Sequence, residues 1–275
     1  MLVTLRELLP DAIQGRYAVP SFNIFGNEEA VAVIAAAESL GRGVIVACNK
    51  DMAEQMGVAG FAGMVRGLAQ DADVPVCLHL DHCYEEDVVY AALRAGFTSV
   101  MFDGSQMALQ DNIAHTARVA TVAHAFGATI EGEVGSVPYT EGRDHIKHEL
   151  TDPKDAASFA EHSGVDAVAI SVGNVHRMTT ATSVIDFERL QEISAITRLP
   201  LVIHGTSGIR DADMQRLKTM RVAKFNIGTT MRMTFARSLR QSLAEDEARF
   251  DRLTLMKPVV QALQAEAARV IQMLG

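Results

Sequence analysis

Two histidines and an aspartate occur within four positions of the segment LHLDHC, residues 78–83. His79, Asp81 and His82 follow an apolar run and precede an acidic segment that is typical of a helix start. Polar side chains at the end of a buried strand cost free energy unless a partner satisfies them. Asp81 and His82 are therefore candidates for a functional site. Neighbouring residues of a strand face opposite ways, so both can turn toward one site only if the strand ends at Asp81. His79 lies earlier on the strand and is expected to be a buried supporting or core group.

Residues of the same chemistry follow other apolar runs. His176 and His204 come close after strand-like segments, as His82 does. Three imidazoles can hold one divalent cation and leave an open coordination position, as catalytic zinc requires. Asp103 and Glu133 also lie at the ends of apolar runs and could hold a second cation or orient the histidines. The alternative is three unrelated structural histidines, and their matching positions argue against it.

Eight short apolar runs carry these residues, and helical patterns lie between them. The runs are YAVPSFNI (17–24), GVIVACN (43–49), VPVCLHLDH (74–82), TSVMFDGS (98–105), ATIEGEVG (128–135), DAVAISVG (166–173), LPLVIHG (199–205) and VAKFNIGT (222–229). Repeated alternation of strand and helix predicts an α/β fold, a (β/α)8 TIM barrel formed as a single domain by residues 1–275, with extra C-terminal helices after residue 230. A doubly wound open sheet is the alternative, but no GxGxxG motif follows the first strand.

A barrel gathers its functional groups where strands end and the following loops begin. Asn23, Asn49 and Asn226 occupy such positions and are candidate substrate-binding residues. The last two strands lead into the small-residue loops HGTSGI (204–209) and NIGTT (226–230). Backbone N–H groups and hydroxyls of such loops, placed before a helix, favour an anion. The loop residues Gly205, Ser207, Gly228 and Thr229 therefore predict a phosphorylated substrate.

Composition excludes several classes of function. A net charge of −9 argues against a large nucleic-acid surface. No apolar run is long enough to span a bilayer, and the first residues lack the features of a signal peptide. Cys48, Cys77 and Cys83 lie in or just after strand-like runs and are expected to be buried free thiols in a reducing compartment. We therefore expect a cytoplasmic protein without membrane or nucleic-acid partners, and the amphipathic terminal helices suggest a homo-oligomer, a dimer or tetramer, or packing onto the barrel itself.

The sequence resembles the class II, metal-dependent ketose-bisphosphate aldolases, which include fructose- and tagatose-bisphosphate aldolases. The motifs that carry the resemblance are HLDHCYEEDV, SVMFDGS, IEGEVGSV, VGNVH, IHGTSGI and KFNIGT. They extend from SFNI near the amino terminus to NIGTTMR, so the resemblance covers most of the chain. It implies a (β/α)8 barrel whose catalytic Zn²⁺ is bound by His82, His176 and His204, whose proton-transferring aspartate is Asp81, and whose second cation is held by Asp103 and Glu133.

The resemblance also implies a reaction. The loops with Gly205, Ser207, Asn226 and Thr229 would hold the dihydroxyacetone phosphate portion of a ketose phosphate. Zinc would act as a Lewis acid during reversible cleavage to dihydroxyacetone phosphate and an aldehyde. Asp81 would exchange a proton with the C4 oxygen. No lysine Schiff base is needed, so a buried lysine on the last strand is expected to be structural.

Three departures from the family pattern concern the other half of the substrate. Arg177 follows His176 where the family usually has glycine, and Asn49-Lys50 stands where fructose enzymes tend to have serine. The loop after the fifth strand reads GSVPYTEGRDHIKHEL instead of carrying Gly-Gly and an acidic pair, and Glu141, or else Asp144, is the candidate loop acid. We therefore expect an aldolase with a divergent acceptor side, for tagatose bisphosphate, a deoxy-phosphogluconate derivative or another anionic ketose phosphate. The alternatives are a zinc-dependent hydrolase on the same barrel and a non-catalytic sugar-phosphate-binding paralogue.

Overall fold

The computed structural model describes residues 1–140, 148–246, 248 and 250–275. Eight parallel strands form a closed barrel in these ranges, and a two-residue strand β1 (Leu2–Val3) pairs with one of them. The barrel strands are β2 (Val19–Asn23), β3 (Val44–Asn49), β4 (Val76–Cys83), β5 (Ser99–Phe102), β6 (Thr129–Val134), β7 (Ala167–Ile170), β8 (Leu201–Ile203) and β9 (Val222–Ile227). Each strand pairs with its neighbours in sequence, and pairing of β2 with β9 closes the circle.

Helices follow the strands along the chain, and all of them except the first form the outer layer. They are α1 (Leu5–Gly15), α2 (Asn27–Leu40), α3 (Lys50–Met56), α4 (Val58–Asp71), α5 (Glu86–Ala95), α6 (Leu109–Ala125), α7 (Pro153–His162), α8 (Phe187–Ile196), α9 (Asp211–Leu217), α10 (Thr229–Glu245) and α11 (Arg252–Leu274). The predicted (β/α)8 barrel with extra C-terminal helices is confirmed, and α11 packs against α2 and α10 of the same chain. None of the helices described here is both long and apolar enough to cross a membrane.

The amino-terminal end of the barrel is closed by α1, an element that the motif analysis did not predict. Leu5 and Leu9 of this helix pack in one buried apolar cluster with Val19, Ile45 and Met101 of the strands. Since side chains alternate between the two faces of a strand, every second residue of each strand points into the barrel. The lowest interior layer is therefore apolar, and it seals this end against water.

The interior becomes polar toward the carboxyl ends of the strands. His79, Glu131 and Lys224 are fully buried above the apolar layer. Asp81 and His204 lie higher still and are also buried. Polar groups in such a position need partners, because an unsatisfied buried charge is far more costly than a buried apolar side chain. The sequence thus places the chemistry of this protein at the carboxyl mouth of the barrel.

Candidate active site

Asp81 and His82 are consecutive residues of β4, yet both reach the mouth of the barrel. Strict alternation would turn one of them outward. The expectation that the strand ends at Asp81 is wrong, because β4 continues to Cys83. His82 instead adopts a left-handed backbone with φ 39°, and the pairing with β5 shifts register between Leu80 and Cys83. This bulge re-aims His82, in the way that bulges near functional sites commonly do.

His82, His176 and His204 come together at the mouth. One potential ligand atom from each lies within 4.8 Å of the others. The Nε2 atom of His82 is 2.7 Å from the Nδ1 atom of His204, and the ring of His176 lies 4.9 Å from the ring of His82. The His176 Nε2 atom is buried and has no hydrogen-bond partner. Three imidazoles that converge with an unsatisfied nitrogen are suited to a divalent cation.

Two carboxylates fix which nitrogen each histidine presents. Asp103 Oδ2 lies 2.9 Å from His82 Nδ1, and Glu131 Oε1 lies 2.8 Å from His204 Nε2. If each carboxylate accepts a ring N–H, the opposite nitrogens of His82 and His204 carry lone pairs that face each other. Two lone pairs at this distance need a proton or a cation between them. The donor set therefore fits zinc, with three imidazole nitrogen ligands and an open side toward the pocket.

The protonation of His176 and His204 agrees with a ligand role. Burial, and then the positive charge of His82, hold the pKa of both imidazoles well below the usual value. Neutral imidazole is the form that binds a metal ion. These two side chains are thus prepared as ligands by desolvation.

Glu133 and Asp103 form a second group with His82 in which ligand atoms lie within 4.8 Å of one another. Burial, and then repulsion by Asp103, raise the pKa of Glu133 to about 8. One carboxylate oxygen accepts from the backbone N–H of Val137 at 3.2 Å, whereas the other is buried and has no partner. A cation would favour the ionised form of such a carboxyl group. Asp103 and Glu133 are therefore suited to hold a second cation, and Asp103 is also placed to orient His82.

Asp81 is held by two amides. Asn23 Nδ2 donates to one carboxylate oxygen at 2.7 Å, and Asn226 Nδ2 donates to the other at 2.8 Å. Burial raises the pKa of Asp81, but the nearby positive charges of His82 and of Lys224 outweigh this effect and lower the pKa overall. Asp81 is therefore a carboxylate in the resting site, fixed in position and able to accept a proton.

A buried ionic network supports these residues from below. Lys224 Nζ lies 2.8 Å from Glu131 Oε2 and donates to Asn226 Oδ1 at 2.5 Å. His79 Nδ1 bonds to Ser99 Oγ at 2.8 Å, and its other nitrogen lies 3.8 Å from Glu131. Through Glu131 the network reaches His204, and through Asn226 it reaches Asp81. Lys224, Glu131 and His79 thus fix the positions of His204 and Asp81, although none of these three residues lines the pocket itself.

Gly205 brings the loop after β8 against the segment that carries His176. Its φ is 62°, and a Cβ atom there would lie 2.5 Å from the carbonyl carbon of Val175. The loop is also tied by Asn174, which is fully buried and whose Nδ2 donates to the backbone oxygen of His204 at 2.9 Å. Only glycine permits this approach.

Replacing Gly205 with alanine should destabilise the protein by at least about 2 kcal/mol, because the methyl group overlaps backbone atoms and the backbone is left-handed. Displacement of His176 should also lower the affinity of the three histidines for a divalent cation. Chemical unfolding and metal analysis measure the two effects. Gly63→Ala on α4 is the control: its Cβ atom would meet nothing within 4 Å, and it should stabilise the helix by about 0.5–1 kcal/mol. Equal changes in the free energy of unfolding and in metal content for the two variants would contradict the close packing of Gly205 against Val175.

The predicted substrate-binding residues all line one pocket beside Asp81 and the histidines. They are Asn23, Asn49, Arg177, Gly205, Ser207, Asn226, Gly228 and Thr229. The hydroxyl oxygen of Ser207 is buried there without a hydrogen-bond partner. Asn49 has a second task, since its Oδ1 accepts from Met52 N at 3.0 Å and caps α3. Glu141 and Asp144, the candidate loop acids, lie outside the described residues.

Sequence reasoning missed two side chains of this pocket. Tyr139 stacks on the ring of His176, with 4.3 Å between ring centroids, and Arg232 reaches the pocket from α10. The segment SVPYT (136–140) contains no motif that marks its tyrosine, and no motif singles out an arginine in a helix. The backbone of His176 accepts from Thr140 N at 3.2 Å and donates to Pro138 O at 2.8 Å. This pairing of two distant loops places Tyr139 over the histidine.

Comparison with known proteins finds extensive similarity. A sequence model described as "Fructose-bisphosphate aldolase class-II" matches residues 3–275. The chain is 35% identical over 272 residues to fructose-bisphosphate aldolase of Geobacillus stearothermophilus, covering 96% of this chain and 93% of that protein. It is 35% identical over 278 residues to 6-phospho-5-dehydro-2-deoxy-D-gluconate aldolase of Shouchella clausii (strain KSM-K16), covering 99% and 94%. The YdjI aldolase of Escherichia coli K12 superposes with a TM-score of 0.87 at 30% identity, covering 100% of this chain and 98% of that one.

Proposed function

Because the chain belongs to the class-II fructose-bisphosphate aldolase family, we propose that it reversibly cleaves a ketose phosphate to dihydroxyacetone phosphate and an aldehyde, with zinc as cofactor. One observation carries this proposal. Asp81 faces the same pocket as His82, His176 and the small-residue loops at Ser207 and Thr229. A proton acceptor, a metal-ligand set and an anion site in one pocket are the parts that this reaction needs.

The chain's own residues supply binding and proton transfer. Gly205, Ser207, Gly228 and Thr229 would hold the phosphate of the dihydroxyacetone half, at the amino terminus of α10. Asp81 would accept the proton of the C4 hydroxyl as the C3–C4 bond breaks, and would return it in condensation. Asn23 and Asn226 keep both oxygens of Asp81 oriented during this transfer.

His82, His176 and His204 would hold the zinc ion, and Asp103 and Glu133 would hold a second cation or orient His82. When bound, zinc supplies Lewis-acid polarisation of a carbonyl oxygen. Burial of His82 and His204, together with the carboxylates behind these two histidines, supports this assignment. Glu141 is proposed as the acid that moves the proton of dihydroxyacetone phosphate.

The acceptor half is proposed to differ from that of fructose bisphosphate. Asn49 and Arg177 line the pocket, and both depart from the pattern of the fructose enzymes. The relatives named above act, by their names, on fructose bisphosphate and on a phosphorylated dehydro-deoxygluconate. We place the substrate of this chain among such anionic ketose phosphates. One domain over residues 1–275, a homo-oligomeric state and a cytoplasmic location stay predictions.

The test is aldol cleavage by the purified, metal-analysed protein. A panel of ketose phosphates is assayed for release of dihydroxyacetone phosphate, before and after treatment with a chelator. We expect cleavage that the chelator abolishes and that added zinc restores. The His176→Ala variant should lose both zinc and activity, since it removes one of three imidazole ligands.

Two outcomes would overturn the proposal. Incorporation of solvent oxygen into the products would indicate a zinc hydrolase instead of an aldolase. A zinc-loaded protein that binds the panel but cleaves none of its members would favour a non-catalytic sugar-phosphate-binding paralogue.

A further inference from the structure

His176 is held differently from the other two histidines of the proposed metal site. His82 belongs to β4, and His204 directly follows the last residue of β8. His176 lies well beyond Ile170, the residue at which β7 ends. It is only half-buried, whereas the other two histidines are buried. Its own barrel strand therefore does not fix its position, and other contacts must do so.

The ring of His176 also lacks the carboxylate that supports each of the other two rings. Asp103 lies within hydrogen-bond distance of His82, and Glu131 lies within hydrogen-bond distance of His204. Among the residues that the structure describes, no carboxylate bonds to the imidazole of His176, and its buried Nε2 atom has no hydrogen-bond partner. Such a carboxylate normally sets the orientation of a metal-binding imidazole. Another group has to orient this ring.

Segment 136–140, which follows β6, holds the backbone of His176. Pro138 O accepts from His176 N at 2.8 Å, and Thr140 N donates to His176 O at 3.2 Å. The hydroxyl of Thr140 donates to the same oxygen at 3.2 Å. Tyr139 and His176 are thereby paired as in a short parallel ladder. Both backbone polar groups of this histidine are satisfied by one segment.

The side chain of Tyr139 confines the imidazole of His176. The two rings are stacked, with 4.3 Å between their centroids and 19° between their planes. The χ2 torsion of histidine is broad by itself, so a neighbouring surface is needed to hold the ring in one orientation. Arg177 lies over the same tyrosine ring, with 5.3 Å between the guanidinium carbon and the centroid, and this contact helps to keep the tyrosine in place.

Segment 136–140 is itself firmly attached to the barrel. The backbone of Ser136 donates to Glu149 at 2.7 Å and accepts from it at 3.1 Å. The side chain of Val137 is buried, and its backbone N–H donates to the carboxylate of Glu133 at 3.2 Å. A group that positions another must be fixed itself. The segment meets this requirement and can hold the tyrosine ring in one place.

We propose that Tyr139 is a positioning residue that holds the imidazole of His176 in its ligand orientation and thereby sets the affinity of the three histidines for a divalent cation. Tyr139 does not bind the ion; it acts through His176. Since the cation belongs to the proposed function, this inference deepens that function and rests on it. The loop after β6 then contributes to metal binding without supplying any of the three imidazoles.

The affinity for zinc tests the role of Tyr139 directly. Metal-free protein is titrated with Zn²⁺ in competition with a chromophoric chelator, for the wild type and for Tyr139→Leu and Tyr139→Phe. Tyr139→Leu removes the aromatic ring and keeps an apolar side chain. It should weaken zinc binding by about 10–100-fold, the usual effect of losing a group that orients a metal ligand. Tyr139→Phe keeps the stacked ring, so most of the affinity should be retained.

A double-mutant cycle shows whether Tyr139 acts through His176. His176→Ala removes one ligand and lowers zinc affinity by itself. If the tyrosine only orients this imidazole, adding Tyr139→Leu to His176→Ala should lower the affinity no further. An equal loss in both backgrounds would overturn the proposal, because the tyrosine would then act on the site by another route.

Cobalt gives a readout that a merely structural role of Tyr139 would not change. Co²⁺ absorbs visible light, and its spectrum depends on the geometry of its ligands. Tyr139→Phe loaded with Co²⁺ should keep the wild-type spectrum. Tyr139→Leu should have an altered spectrum, because His176 is no longer held in one orientation.

Tyr90→Leu is the matched control. Tyr90 lies on α5, its hydroxyl donates to Glu86 at 2.9 Å, and it does not line the pocket. The zinc affinity and the cobalt spectrum of this variant should equal those of the wild type. A loss of zinc affinity as large as that in Tyr139→Leu would overturn the inference, because the effect would then follow from general destabilisation.

Wild-type zinc affinity and a wild-type cobalt spectrum in Tyr139→Leu would overturn the inference while leaving the proposed function intact. Failure of the proposed function gives a different result. In that case no ketose phosphate is cleaved, while zinc affinity still depends on Tyr139. A wild type that binds neither Zn²⁺ nor Co²⁺ would refute both.

Discussion

Replacement of Asp81 with asparagine should slow cleavage of the ketose phosphate by about 10²–10⁴-fold, the range that general acid–base groups contribute. The variant keeps the size of the side chain but cannot accept the C4 proton. It also places an amide where Asn23 and Asn226 both donate to a carboxylate at present. Zinc content should stay at the wild-type level, because His82, His176 and His204 are unchanged. Release of dihydroxyacetone phosphate and metal analysis measure the two properties.

A partial reaction separates the role of Asp81 from general damage to the site. If Asp81 serves only the C4 oxygen, exchange of the dihydroxyacetone phosphate proton with deuterated solvent should persist in Asp81→Asn. Loss of zinc, or loss of exchange to the same degree as cleavage, would show that the residue acts structurally. Cleavage within five-fold of the wild type would remove Asp81 from the catalytic residues.

Lys224→Met should destabilise the fold by about 3–5 kcal/mol, the cost of leaving a buried charge without its partner. Lys224 and Glu131 are fully buried inside the barrel, with 2.8 Å between the ammonium nitrogen and the carboxylate oxygen. The same substitution releases Asn226, whose Oδ1 accepts from Lys224. Activity should therefore fall along with stability. Unfolding in denaturant gives the free-energy change.

The double variant Lys224→Met/Glu131→Gln is the control for this pair. It removes both charges, so most of the lost stability should return, and the coupling energy follows from the double-mutant cycle. A double variant as unstable as the sum of the single ones would mean that Lys224 and Glu131 do not interact. Zinc affinity should still fall in the double variant, because Glu131 orients His204.

The sequence was sufficient to predict the barrel and most of the residues at its mouth. Strand and helix periodicity depend on residues a few positions apart, and these signals lie in the chain itself. Once eight strand–helix units predict a closed barrel, the strand ends must meet, whatever their distance along the chain. The strand ends therefore predicted that His82, His176 and His204 lie close together and that Asn23, Ser207 and Thr229 line one pocket. The structure shows this convergence.

Other features of the site depend on backbone irregularities that periodicity does not contain. Alternation could not decide how Asp81 and His82 both reach the mouth, and it predicted a strand that ends at Asp81. The structure resolves this with the left-handed backbone of His82 and the register shift beside it. A bulge depends on how neighbouring strands pair, so the local sequence pattern does not predict it.

Arg232, Tyr139 and the pairing of Lys224 with Glu131 were decided by tertiary structure alone. Each joins segments that are far apart in sequence, and the contact depends on the register of strands and on the direction of a helix or loop. Residue types and spacing determined the family and the barrel, and they predicted which residues would hold a metal ion and a phosphate. Only the closed barrel decided which charges are buried together, because the distances between side chains of separate strands exist only after closure.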